Sequence, residues 1–202
     1  MKPEIEVKFS NVNFDQLRKK LKAVGAVCAQ PMRLMKRALI EETHHAAEHA
    51  FIRIRDEGDK ITLTFKRRAD SHASTIDGTK ELEVEVSDFE KTVEIFAEAG
   101  WKYITFQESK RETWKLNNVE IVLDEWPWLE PYIEIEGESE EEIRVIGELL
   151  NLDWREVIIG HVDTLYERQY EFLNGVRGVI DVPEVRFNEP LPVNFRPRKS
   201  KK

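Results

Sequence analysis

Cysteine is nearly absent: Cys28 is the only thiol among 202 residues, which excludes an intramolecular disulfide and any cysteine-based metal site and fits a reducing compartment. No apolar run approaches the length of a membrane span, and the opening residues MKPEIE lack the apolar core of a secretory leader. Positive charge is in deficit. Lys and Arg number 31 against 39 Asp and Glu, a net charge of −8, which argues against sequence-independent binding to nucleic acid or anionic membrane. There is no glycine-rich phosphate loop and no Ser-His-Asp pattern. His44, His45 and His49 sit together in a polar stretch with no second ligand cluster, and read as a surface loop in preference to a zinc site. What remains is a soluble, cytoplasmic chain, monomer or homodimer, with one domain over 1–175. A proline-rich, basic tail over 176–202 ends in RPRKSKK and is expected to be extended or disordered.

What is present is alternation. EIEVKFS at 4–10 and ELEVEVS at 81–87 are nearly the same words, and each is followed by a helical stripe and a glycine. Phe14, Leu17, Leu21 and Val24 precede Gly25; Phe89, Val93 and Phe96 precede Gly100, with a capping box from Ser87 to Glu90. Two related halves are therefore expected. Eight strands are predicted near 4–9, 33–41, 50–56, 60–67, 80–87, 103–116, 119–126 and 132–137, with hairpin turns at Glu57-Gly58-Asp59 and Asn117-Asn118. Further helices are predicted near 139–150 and 163–174.

One face of nearly every strand is charged. Glu4, Glu6 and Lys8 oppose Ile5, Val7 and Phe9, and Glu81, Glu83 and Glu85 oppose Leu82, Val84 and Val86. Arg53 and Arg55, then Thr62, Thr64 and Lys66, continue the pattern. So do Arg111, Thr113 and Lys115; Glu120, Val122 and Asp124; and Tyr132, Glu134 and Glu136. An ordinary solvated face does not repeat like charges two residues apart. Eight strands suffice to close a barrel, and if the polar faces point inward the helices cover the apolar outside. The fold class is then α+β, an eight-stranded antiparallel barrel with a charged lumen. Such a lumen is costly unless its charges are paired or coordinated. Clustered carboxylates suit Mg²⁺ or Mn²⁺, which bring phosphates with them, and Arg and Lys bind the phosphate oxygens. The lumen reads as a receptacle for a polyphosphate with bound metal.

In their order, Glu4-x-Glu6-x-Lys8, Arg53-x-Arg55, Lys66, the Glu81/Glu83/Glu85 strand, Arg111, Asp124 and Glu134-x-Glu136 resemble the CYTH proteins, the triphosphate tunnel metalloenzymes. The resemblance implies a triphosphate held in the tunnel by Lys8, Arg53, Arg55, Lys66, Arg111 and Lys115. It implies Mg²⁺ or Mn²⁺ held by Glu4, Glu6, Glu83, Glu85, Asp124, Glu134 and Glu136, and turnover through Glu4, Glu6 and Lys8. Hydrolysis of inorganic or organic triphosphate is the leading reading. The alternatives are a cyclase of the class IV adenylate cyclase type and a module that binds triphosphate without turnover. Two departures stand out: Ser109 occupies a position where the family often has Lys, and RLMKRALIEETHH replaces its acidic-aromatic stretch. Trp126 and Trp128 in WPWLEP read as a plug at one barrel end, or alternatively as a stacking surface for a head group. Replacing Lys8 is expected to abolish turnover and, by relieving buried charge, to raise the melting temperature.

Overall fold

A computed structural model describes residues 2–40, 49–68, 76, 79–101 and 103–198, the side chains of 2–4, 68, 103 and 104 excepted. His44 and His45 lie outside the described residues. The strands are β1 (Lys2–Ser10), β2 (Val27–Ile40), β3 (Ala50–Asp56), β4 (Ile61–Arg68), β5 (Thr79–Val86), β6 (Tyr103–Leu116), β7 (Val119–Glu125) and β8 (Tyr132–Gly137). They pair antiparallel in the order β6-β2-β3-β4-β5-β1-β8-β7, and β7 pairs back onto β6, which closes the ring. The expected eight strands are all present, with β2 starting earlier than predicted, at Val27, and carrying register shifts near Gln30 and Arg33.

The shortest seam is β1–β5, where only Lys2, Pro3 and Glu4 face Glu81, Lys80 and Thr79. Beyond it the free edge of β1 is satisfied by other backbone. Glu6 N donates to Ile76 O at 3.3 Å, and Lys8 exchanges two 2.9 Å bonds with Ile158. Both local turns use a left-handed residue, Gly58 at φ +92° and Asn117 at φ +54°.

Helices α1 (Phe14–Ala23) and α2 (Phe89–Glu98) follow the two related strands as expected, and α3 (Glu140–Leu149) follows Ser139, whose hydroxyl accepts from Glu142 N. The cap of α2 is Asp88 and not Ser87: its carboxylate accepts from Lys91 N at 2.9 Å, a shift of one residue that an adjacent Ser-Asp pair leaves open. Leu17 and Leu21 of α1 and Ile143 and Ile146 of α3 bury against Val7, Phe9, Ile121, Leu123, Ile133 and Ile135. Phe89 of α2 buries against Ala38, Ile40, Ile52 and Ile54, with Val93 and Phe96 packed alongside. Most apolar strand faces thus point outward under helices, whereas Leu82 and Val84 on β5, and Val27 and Leu34 on β2, remain exposed.

The C-terminal part departs from expectation. The helix foreseen over 163–174 is α4 (Val162–Gln169), after which the chain turns into β9 (Tyr170–Phe172). The supposed free tail packs: β10 (Glu184–Val185) pairs in parallel with Phe106 and Gln107 of β6, and β11 (Phe195–Pro197) pairs with β9. Val179, Val185 and Phe195 bury with Tyr166, Tyr170, Trp126 and Tyr132. No helix among the described residues is long and apolar enough to cross a membrane.

Candidate functional site

Because side chains alternate along a strand, the closed ring turns one charged face of every strand into a shared interior. A cavity of about 460 Å³ occupies it. Of the residues expected there, Glu6, Lys8, Arg53, Arg55, Lys66, Glu83, Arg111, Lys115, Glu134 and Glu136 line it.

Lys8 is the most enclosed cation, 2% exposed, with Nζ 2.6 Å from Glu6 and 3.4 Å from Glu134. Across the cavity floor Arg111 donates Nε to Asp124 at 2.8 Å and Nη2 to Glu134 at 2.7 Å. Arg53 stands 3.6 Å from Glu83, which also accepts from the Thr64 hydroxyl at 2.8 Å. Lys66 lies 3.2 Å from Glu81, and Arg55 donates to Glu57 at 2.8 Å. Cations and carboxylates therefore alternate around the wall, which is how a charged interior is tolerated.

Electrostatics follow from these pairs. Burial pushes the Glu134 carboxyl up, but the charges of Lys8 and Arg111 outweigh it and bring it down to about 2. Asp124 is pushed up by burial and pulled back by Arg111. Burial also opposes ionisation of Glu57, yet Arg55 and Lys60 hold it below the usual range. The Glu134 shift makes a pH prediction. Its folded pKa lies below the ordinary 4.5, so its stabilisation is complete above about pH 4.5 and disappears as pH falls toward 2. Unfolding titrations of wild type and Glu134→Gln should differ by a pH-dependent part of about 3 kcal/mol across that window; parallel curves contradict the assignment.

Two expected residues stand elsewhere. Glu85 is exposed and does not line the cavity, because β5 runs past the short seam with β1. Asp124, 1% exposed, lies beneath Arg111 and supports it from outside the cavity. The side chain of Glu4 falls outside the described ones; its backbone pairs with Thr79. Ser109 is buried and Lys110 points away to pair with Glu125, as the alternation required. Trp126 and Trp128 act as packing: Trp126 is buried, and Trp128 donates to Glu189 O and packs on Phe195.

Sequence reasoning missed several lining residues. Arg33 and Arg37 on β2, Glu57 and Lys60 at the first hairpin, and His161, Val162, Asp163 and Ile180 from the C-terminal part all reach the cavity. The signal for the first two was the period of Arg33, Met35, Arg37 and Leu39, partly hidden by Lys36. For the last four there was none.

As to a metal, no three His, Cys, Asp or Glu side chains among the described residues already converge on one point. The donor chemistry nevertheless fits a hard divalent ion. Glu6 stands opposite Glu136, and Glu136 opposite Glu120, a row of carboxylates across three adjacent strands.

The CYTH domain description matches residues 2–158. Solved structures with the same fold include the PH1012 protein of Pyrococcus horikoshii OT3, at 26% identity and a TM-score of 0.65, covering 77% of this chain and 94% of that one. A conserved hypothetical protein of Pyrococcus furiosus gives 25% identity and a TM-score of 0.64 over the same shares, 77% and 94%. A protein of Vibrio parahaemolyticus named as a candidate adenylate cyclase gives a TM-score of 0.69 at 9% identity, over 82% and 98%. A search of curated proteins found no match. The segment after residue 158 lies beyond the family match.

Proposed function

The chain belongs to the CYTH domain family, and on that footing we propose that it hydrolyses a triphosphate in the barrel interior with the help of Mg²⁺ or Mn²⁺. The observation behind this reading is the interior itself. Lys8, Arg53, Arg55, Lys66 and Arg111 converge on one cavity, each balanced by a carboxylate it can share with an incoming anion.

Binding would exchange partners. Phosphate oxygens take the fork of Arg53, Arg55 and Arg111 and the point charges of Lys8 and Lys66, and the carboxylates so released turn to the cation. Glu6, Glu136 and Glu120 would hold it, with Glu4 on the same strand as Glu6 and Glu83 on the adjacent β5. The substrate's own phosphates would supply further oxygen ligands. When bound, the ion supplies charge neutralisation across the transferring phosphoryl group. A carboxylate of the Glu6/Glu136 row accepts a hydrogen bond from water and aims it in line at a terminal phosphorus. The new bond is water oxygen to phosphorus, the bond broken is phosphorus to bridging oxygen, and the products are orthophosphate, a proton, and pyrophosphate from inorganic triphosphate or the organic diphosphate from an esterified one.

The test is purified protein with inorganic triphosphate, thiamine triphosphate or ATP, each with Mg²⁺ or Mn²⁺. Free orthophosphate supports hydrolysis. Cyclic AMP with pyrophosphate from ATP turns the reading into a cyclase, and tight binding with no product turns it into a binding module.

A further inference from the structure

The two strands of the internal repeat end in different surroundings. EIEVKFS at 4–10 and ELEVEVS at 81–87 match with an offset of 77, from 4 to 81, and the seam between them obeys the same offset. Lys2 faces Glu81 and Glu4 faces Thr79, so shifting each residue by 77 turns one pair into the other, with Pro3 and Lys80 at the centre. A local two-fold thus relates Glu6 to Glu83, Val7 to Val84 and Lys8 to Glu85.

Past the seam, β1 is covered on edge and face. On the edge away from β8, Glu6 N donates to Ile76 O, and Lys8 and Ile158 form an antiparallel bridge with two 2.9 Å bonds. On the outer face Val7 and Phe9 are buried. β5 has neither cover. One edge pairs with β4 from Thr79 to Val86, while on the other nothing pairs beyond Glu81 among the described residues. By the two-fold, the amides of Glu83 and Glu85 and the carbonyl of Glu85 point out of that edge, in the places that Glu6 N and the Lys8 backbone hold on β1. On its outer face Leu82 is 61% and Val84 54% exposed, against 0% for Val7.

An open edge beside a bare apolar face is the kind of surface onto which an extended chain adds as a further strand. The neighbours on the outer face are already apolar, Phe65 opposite Leu82 and Leu63 opposite Val84, so an added strand would lengthen a hydrophobic row. On the other face it would meet carboxylates. Glu83 accepts from the Thr64 hydroxyl and stands 3.6 Å from Arg53, whereas Glu85 is exposed and has no ion pair among the described residues. The repeat has an acid, Glu85, where β1 has Lys8, and Asp88 and Glu90 follow at the start of α2.

These charges choose between occupants. A second copy of β5 pairing antiparallel must keep its Leu and Val on the outer face, and every such register sets a glutamate opposite a glutamate, which is destabilising. A strand with cationic side chains at alternate positions carries the opposite sign at each of them. We propose that the open edge of β5 at Glu83 and Glu85 docks an extended segment of a partner protein in which basic residues alternate with apolar ones. The basic side chains face Glu83 and Glu85, and the apolar ones lie beside Leu82 and Val84. Such a segment does for β5 what the stretch at Ile158 does for β1. Apart from Glu83 this edge lies outside the triphosphate cavity, and its docking is independent of what the cavity binds.

Fluorescence anisotropy of a labelled nine-residue peptide alternating lysine and valine tests this on the full chain, with a glutamate–valine peptide for comparison. Wild type should bind the lysine peptide saturably, one per chain, and the glutamate peptide at least about 10-fold more weakly. Glu85→Pro removes the donor facing the open edge, leaves the ladder with β4 in place, and should weaken binding about 10-fold. Val84→Lys leaves the backbone untouched and should weaken it by about the same factor through the apolar row. Should the proline variant not fold, amide hydrogen exchange on wild type gives an independent reading. The Glu83 and Glu85 amides should exchange freely alone and be protected about 10-fold or more by saturating peptide. No binding by wild type, equal binding of the two peptides, unchanged affinity in folded Glu85→Pro, or binding without protection of those amides overturns the proposal. So does a wild-type dimer that Glu85→Pro breaks, which would assign the edge to a second copy.

Discussion

Arg111→Leu should lower the unfolding free energy at neutral pH by about 3–5 kcal/mol, the cost of leaving a buried charge uncompensated. Its guanidinium is the shared partner of Asp124, 1% exposed, and of Glu134. Without it two desolvated carboxylates remain near the Tyr132 hydroxyl. Asp124 is already pushed up by burial and would then be pushed up further. Its folded pKa would lie above its unfolded value, so the deficit is complete above the folded pKa and shrinks as pH falls through it. Replacing Asp124 by Leu in the same chain should recover part of the loss, since an apolar pair of similar volume can be as stable as a buried ion pair. Urea unfolding of the single and double variants measures both effects. A single-variant loss under about 1 kcal/mol would mean that the pair behaves like an exposed one.

Lys8→Met should weaken triphosphate binding by about 100-fold or more and, in the same protein, lower stability. Affinity goes because a cation at 2% exposure, inside the cavity, has its charge undiluted by water. Stability goes because Glu6 and Glu134 each lose an ion pair with Lys8, Glu134 keeping that with Arg111. From sequence alone the opposite sign was expected, on the ground that removing buried charge relieves the core. That holds for an uncompensated charge and fails for the shared partner of two carboxylates. The pKa of Glu134, held at about 2 by Lys8 and Arg111, should then rise. A loss of about 3–5 kcal/mol leaves most domains folded, so circular dichroism and calorimetry can be read on the same sample. An unchanged affinity, or a raised melting temperature, contradicts this placement of Lys8.

How much of this was legible depends on periodicity. Seven amphipathic strands announce themselves through a period of two, and Glu6, Lys8, Arg53, Arg55, Lys66, Arg111, Glu134 and Glu136 could be assigned to one interior for that reason. Glu85 has the same pattern, yet it ends exposed, because sequence does not reveal where a seam between two strands stops. Arg37 was hidden by its neighbours, with Lys36 beside it making the segment look charged on both faces. The C-terminal part defeated the reading most completely. Val179, Val185 and Phe195 bury as isolated residues, β10 is two residues long, and prolines between them suggested an open chain. Its role in walling the tunnel comes from contacts to Trp126 and Gln107 that no local pattern encodes.

Calorimetric titration of the full chain with inorganic triphosphate, with and without Mg²⁺, bears most directly on the claim that these charges form one anion-holding interior. The account predicts saturable binding of one triphosphate per chain, strengthened by Mg²⁺ and lost in Lys8→Met. No heat of binding in wild type, or equal binding in Lys8→Met, would contradict it.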